Sequence, residues 1–146
     1  MNKRARPRRA VADGNDVMGS LMQAAHAVEA QLETALAQVG LSGAKLAALT
    51  QLVQAGEPVA LGELAKQCAC VRSNITQLVD RLEAEALVRR VDDPADRRSL
   101  RAQITQLGRE RQAAGARKVA EVRRKLAKAL GAIDAAALKR ALQGLQ

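Results

Sequence analysis

Between Val71 and Leu82 the chain sets two kinds of side chain on opposite faces of one helix. Ile75, Leu78, Val79 and Leu82 recur at i, i+3, i+4 and i+7, the stripe of a helix packed on a core. Facing away are Ser73, Asn74, Thr76, Gln77 and Arg81, with Arg72 at the start. Asn and Gln carry a donor and an acceptor matched to the adenine edge, and Arg matches guanine. Taken alone, a solvated helix face accounts for these residues equally well. The residues that follow shift the balance. Leu87 to Arg90 and Leu100 to Ile104 are short strand-like runs, separated by a loop from Val91 to Ser99 rich in Asp and containing Pro94. Arg97 and Arg98 lie on the far side of that loop, where a hairpin presents a guanidinium to the negative potential of a narrow minor groove.

Two short helices, a tight turn and an arginine-tipped ribbon make a winged helix-turn-helix over Leu61 to Thr105. Asp96 lies in the same loop. An acid facing phosphate is repelled unless it is paired, so Asp96 is expected to orient Arg98 or a neighbouring Arg and to preorganise the wing. Cys68 and Cys70 form C-A-C at the turn between the two short helices. Such a pair suits thiol redox chemistry or half of a soft-metal site. Buried Cys also behaves as a small hydrophobe, and packing is the leading reading. No second Cys pair or His cluster completes a metal site, so no metal is expected. Neither a nucleophile with its base, nor paired carboxylates, nor a glycine-rich phosphate cradle is present; no catalysis and no cofactor are expected.

The balance of charge points to the same partner. Of 146 residues, 24 are Lys or Arg and 15 are Asp or Glu, a net charge of +9 that favours duplex DNA. Phe, Tyr and Trp are absent, which excludes recognition of single strands by aromatic stacking. A sequence-independent DNA-coating protein would also use that charge and stands as a rival. No apolar run reaches 18 residues and the amino terminus lacks a secretory apolar region, so a cytoplasmic protein without a membrane partner is expected.

The elements that must position these residues follow from periodicity. Residues 1–16 read as a disordered basic arm with Lys3, Arg4, Arg6, Arg8 and Arg9. Val17 to Val39 keep a helical apolar register that Gly40 ends, and a second helix runs from a cap at Ser42 to Gln54. After the wing, Thr105 caps a long helix to Ala129, and Asp134 caps a last one carrying Leu138, Leu142 and Leu145. The fold class is therefore mainly α. A winged helix-turn-helix with a two-stranded wing (41–105) lies between amino-terminal (17–40) and carboxy-terminal (106–146) helices. Neither terminal element can bury its stripe in so thin a domain, so a two-fold homodimer is expected, its first, fifth and sixth helices intertwined with those of a partner.

Five pieces carry a resemblance: Glu63-Leu64-Ala65, Asp80-Arg81-Leu82-Glu83, Leu87-Val88-Arg89-Arg90, Asp96-Arg97-Arg98, and Ile104-Thr105-Gln106-Leu107-Gly108. Their order and spacing resemble the MarR family of bacterial transcription regulators. The resemblance implies a homodimeric regulator, read here as a repressor, on a pseudo-palindromic duplex. DNA contacts would come from Arg72, Ser73, Asn74, Thr76, Gln77, Arg81, Arg97 and Arg98. It also implies a small-molecule effector in a cleft lined by the first, second and fifth helices, with His26, the only histidine, a candidate for that cleft. Cys68 and Cys70 fall where the family pattern holds apolar residues; a thiol-sensing regulator acting through them is the alternative. Three positions depart from the pattern. Ala86 replaces the glycine that ends the recognition helix, a change costing about 1 kcal/mol if the residue is left-handed. Ala60 and Val71 replace capping Ser or Thr, and Ser73 is a candidate cap for a later start of the second short helix.

Overall fold

The computed structural model describes residues 10–96 and 98–144, residues 10–15 and Arg72 by backbone alone. The described elements run α1 (Ala10–Ala37), α2 (Gly43–Ala55), β1 (Val59–Ala60), α3 (Leu61–Gln67), α4 (Arg72–Ala84), β2 (Val88–Asp92), β3 (Leu100–Ile104), α5 (Gln106–Ala129) and α6 (Ala135–Gln143). Three expected caps form. Ser42 accepts from Lys45 N, Thr105 from Gly108 N, and Asp134 from Ala136 N and Ala137 N.

Two boundaries differ from expectation. Helix α1 begins at Ala10, so residues 10–16 are helical and do not belong to an arm. Ala10 and Ala12 favour the helix, and Gly14 is tolerated at about 1 kcal/mol. Residues 1–9 of the expected arm lie outside the described residues, as does Leu145. The wing sheet has three strands, not two. Its order is β1-β3-β2, antiparallel throughout, with Val59 opposite Ala102 and Val88 opposite Ile104. Two residues after Pro58 are too few to show a strand period in sequence.

Three helices end in the same way. At the end of α1, Leu41 N donates to Leu36 O and Gly40 N to Ala37 O. At α3, Cys70 N donates to Ala65 O and Ala69 N to Lys66 O; at α4, Leu87 N donates to Leu82 O and Ala86 N to Glu83 O. This is the Schellman pattern, which requires its inner donor, the residue just past the helix, to be left-handed. Gly40 takes it at φ 68°, but Ala69 and Ala86 take it at 50° and 58°. The strain foreseen for Ala86 is present, and Ala69 carries the same strain unforeseen.

The core is aliphatic. Leu49, Leu64, Ile75, Val79 and Leu82 are fully buried, joined by Leu36, Leu52, Leu87 and Val88. Each such side chain contributes about 1.5–3 kcal/mol on leaving water. They fix α4 against α2, α3 and the sheet. Gly108 is the position that lets α5 seat on the wing: a Cβ there would stand 2.1 Å from Leu87 O and 2.8 Å from Ile104 Cγ1. Leu87 O also accepts from Thr105 N (3.1 Å) and Thr105 Oγ1 (3.1 Å). The Thr-x-x-Gly spacing thus docks one helix start onto one carbonyl.

Outside this core, apolar residues stay uncovered. Val17, Met18 and Met22 on α1 are 66%, 57% and 54% exposed, and Ile133, before α6, is 53% exposed. Among the described residues no helix is long and apolar enough to cross a membrane.

Candidate nucleic-acid interface

Helix α4 presents the polar face that its apolar spacing dictates. Ser73, Asn74, Thr76, Gln77 and Arg81 are exposed, while Ile75, Val79 and Leu82 lie beneath them. Val71 is the cap residue, extended at φ −73° and ψ 154°, with no side-chain bond to the helix start. Ser73 is therefore inside the helix and does not cap it, a correction to the later start considered above. Arg72 is the first helical residue. Ala60 likewise precedes α3 with no side-chain cap bond.

Two clefts flank this face. On one side Asn74, Gln77 and Arg81 share a cleft of about 290 Å³ with Ala44, Ala47, Leu78, Cys68 and Cys70. On the other, Thr76 meets Leu61, Gly62, Asp96, Arg98, Ser99 and Leu100 around a second cleft of about 290 Å³. The fold thus brings Thr76 of the helix and Arg98 of the wing to one groove. Arg97 lies outside the described residues.

What holds helix and wing in register is a clamp that sequence reasoning did not assign. Arg90 on β2 donates through NH2 to Asp80 Oδ1 and through NH1 to Glu83 Oε2, and its N–H donates to Glu83 Oε1 at 3.0 Å. The Arg90 N–H, then its guanidinium, hold the Glu83 carboxyl below the usual carboxylate range. The signal was available: two acids three apart on one helix, then an Arg seven residues beyond the second.

The wing turn has its own pair. Asp93 Oδ2 lies 2.9 Å from Arg101 Nε, and Asp93 Oδ1 accepts from Ala95 N at 2.9 Å. The carboxylate is only 9% exposed, and the Arg101 guanidinium, with the Ala95 N–H, keeps its pKa low. Arg101 NH1 reaches on to Pro58 O at 3.3 Å. Asp96, expected to orient an arginine side chain, instead accepts from the backbone N of Arg98 at 3.0 Å. Among the described residues of the wing turn the carboxylate–guanidinium pairing belongs to Asp93 and Arg101, and Asp93 N closes the base of the turn by donating to Ser99 O (3.1 Å).

These pairings leave a particular residue of charge. Asp80, Glu83 and Asp93 are matched within the module, and Glu85 pairs with Lys45 at 2.5 Å. Among the described residues Arg81 and Arg98 have no carboxylate partner. The exposed face of α4 and the wing is electropositive by subtraction, since residues 41–105 hold nine Lys or Arg against eight Asp or Glu.

Cys68 and Cys70 are half-buried and pack against the core beside Leu78. Cys70 is the residue after the left-handed Ala69, the position whose apolar contact closes a Schellman turn. Burial pushes the Cys68 thiol above its ordinary value, and the neighbouring Cys70 adds to the rise. A raised pKa means less thiolate, the form that reacts with oxidants and binds metals. Among the described residues no group of three or more metal-ligating side chains forms.

His26 is exposed on α1. The cavity between α1, α2 and α5, about 430 Å³, is lined by Glu29, Leu32, Glu33, Leu36, Gly43, Leu46 and Val119, without His26.

Comparison with known proteins fits this geometry. The MarR family model matches residues 39–99. No curated protein matches the chain. Among solved structures, Sco3205 from Streptomyces coelicolor, a MarR family transcriptional regulator in complex with DNA, is 26% identical with a TM-score of 0.74, covering 97% of this chain and 88% of that one. CouR from Rhodococcus jostii RHA1, bound to p-coumaroyl-CoA, is 25% identical with a TM-score of 0.71, covering 94% and 93%. A mutant MarR from E. coli complexed with operator DNA shares the fold at 22% identity and a TM-score of 0.73, covering 88% and 92%. With α4 clamped to a three-stranded wing and its residues 39–99 matching the family model, the chain is similar to the MarR family of transcriptional regulators across its winged helix-turn-helix.

Proposed function

We propose that the protein acts as a homodimeric repressor on a pseudo-palindromic duplex operator. The observation that carries this reading is the rigid unit of α4 and wing: exposed Asn74, Gln77 and Arg81 on the helix and exposed Arg98 beyond it, tied together through Arg90. In it Ser73, Asn74, Thr76 and Gln77 read base edges in the major groove. Arg72 and Arg81 contact bases or phosphates, and Arg98, with Arg97, enters the flanking minor groove. Asp96 serves by fixing the backbone at Arg98. The uncovered apolar residues of α1 and of the chain before α6 support pairing with a second copy, which spaces two recognition helices about one turn of DNA apart. The DNA complex of Sco3205 supports the duplex partner. The ligand-bound CouR supports control by a small molecule, for which the cavity between α1, α2 and α5 is the candidate site. Such a ligand acts only through its difference in affinity for two spacings of the paired helices.

The test is footprinting on the DNA upstream of the chain's own gene, with random duplex as competitor. A protected pseudo-palindrome that survives competition by a factor of about 10³ or more supports the proposal. Uniform coating with no such ratio refutes it. Gln77→Ala should cost about 1–3 kcal/mol at one base position, whereas Arg98→Ala should weaken binding chiefly where the flanking minor groove is narrow.

A further inference from the structure

The excess positive charge of this protein is not where its recognition elements are. The nearly balanced module of residues 41–105 is flanked by α1, which has four acids and no Lys or Arg, and by α5, which has eight Lys or Arg against two Glu. Helix α5 seats Gly108, Gly115 and Val122 on the rest of the fold, with Gly115 close against Leu41 and Leu46. Residues one or two positions further along turn by about 100–200° away from that face. Arg109, Arg117 and Arg124 are so placed, and Lys128 joins them four residues past Arg124; all four lie within about 100° of one another and run about 28 Å along the axis. All four are exposed. Among the described residues none has an ion pair or a side-chain hydrogen bond. The nearby acids are otherwise engaged: Glu121 pairs with Lys118 at 3.6 Å, and Glu110 accepts from Gln106 at 3.0 Å.

We propose that this outer face of α5 is a second polyanion-binding surface that holds the phosphate backbone of a duplex other than the one gripped by α4 and the wing. The residues between the cations decide the class of partner. Ala113, Ala120 and Ala127 lie flush on the same face and offer no anchoring side chain, whereas protein interfaces draw their affinity from buried aromatic or aliphatic anchors. A backbone of phosphates needs only donors and positive charge at intervals, which is what the stripe supplies. The face points away from α1 and α2, so the stripe engages separate DNA and bridges it to the DNA on the recognition helices.

The experiment is a sandwich capture with two random-sequence duplexes, one biotinylated and one fluorescent, at ~0.1 M salt. The wild-type protein should recover the fluorescent duplex. The triple variant Arg117→Gln, Arg124→Gln, Lys128→Gln should lose at least tenfold of that recovery, while its affinity for a single duplex through the winged helix stays within about twofold. Loss of three phosphate contacts should lower the slope of log recovery against log salt by about 3. Arg117→Lys with Arg124→Lys should restore capture, which separates charge from fold. Three results overturn the proposal: no capture by the wild type, undiminished capture by the triple variant, or a change of oligomeric state in that variant, which would make the stripe a contact between copies. Displacement of the fluorescent duplex by poly-glutamate at lower concentration than by duplex would assign the face to an acidic protein and overturn it as well.

Discussion

Replacing Ala86 by glycine should stabilise the protein, against the usual direction of an alanine-to-glycine change. Ala86 sits at φ 58°, held there by its N–H on Glu83 O (2.9 Å), by Leu87 N on Leu82 O (2.9 Å), and by Thr105 Oγ1 donating to its carbonyl at 2.8 Å. Left-handed backbone costs an L-residue about 1–2 kcal/mol, and glycine removes that cost. Glycine also loosens the unfolded chain, a loss of about 0.4–1 kcal/mol. Ala86 is exposed, so no packing is forfeited. The balance is a gain of about 0.5–1 kcal/mol. In urea titrations at fixed protein concentration the midpoint should rise with m unchanged, and Tm should rise by about 2–4 °C. Ala69→Gly should behave alike for the same reason, at φ 50°. Ala116→Gly is the control: Ala116 is exposed in the middle of α5, where glycine should cost about 1 kcal/mol. A midpoint for Ala86→Gly at or below wild type, with the control behaving as expected, would refute the assignment of strain.

Four further outcomes are expected. Gly108→Ala should destabilise by about 3 kcal/mol or more, since the new methyl meets backbone at Leu87 O and cannot rotate away; calorimetry reads it directly. Arg90→Ala should lower stability by about 1–2 kcal/mol, discounted for the partial exposure of Asp80 and Glu83, and in duplex-binding assays should weaken the minor-groove contribution of Arg98 although it touches no DNA. On acidification the stabilisation from Asp93 and Glu83, whose folded pKa values are lowered, should be complete above their unfolded values and lost as pH falls through the folded ones. Asp93→Asn should remove part of that loss in melts taken across the acid range. Peroxide treatment should leave DNA affinity unchanged at neutral pH on a minute timescale, because the raised pKa of Cys68 suppresses its thiolate; rapid release reversed by a reductant would restore the thiol-sensing alternative.

Much of the architecture was legible because it rests on local rules. The 3.6-residue stripe from Ile75 to Leu82 made α4 visible, and caps at Ser42, Thr105 and Asp134 marked helix starts because one oxygen satisfies free N–H groups. The face opposite that stripe named the candidate contacts without any structure. Strand β1 was hidden, since two residues have no period and pair only because Ala102 comes to lie beside Val59. The left-handed Ala69 was hidden too, because nothing in C-A-C announces a Schellman turn.

Composition and pattern determined that the chain is a helical, aliphatic, basic protein with a winged recognition unit, because spacing along the chain dictates which face is buried. Tertiary structure alone decided which charges remain free. Asp80 and Glu83 lie near Arg90 only after the sheet folds against α4, and Asp93 near Arg101 only once β2 and β3 pair. That pairing, invisible to a count of residues, leaves Arg81 and Arg98 without a carboxylate partner among the described residues.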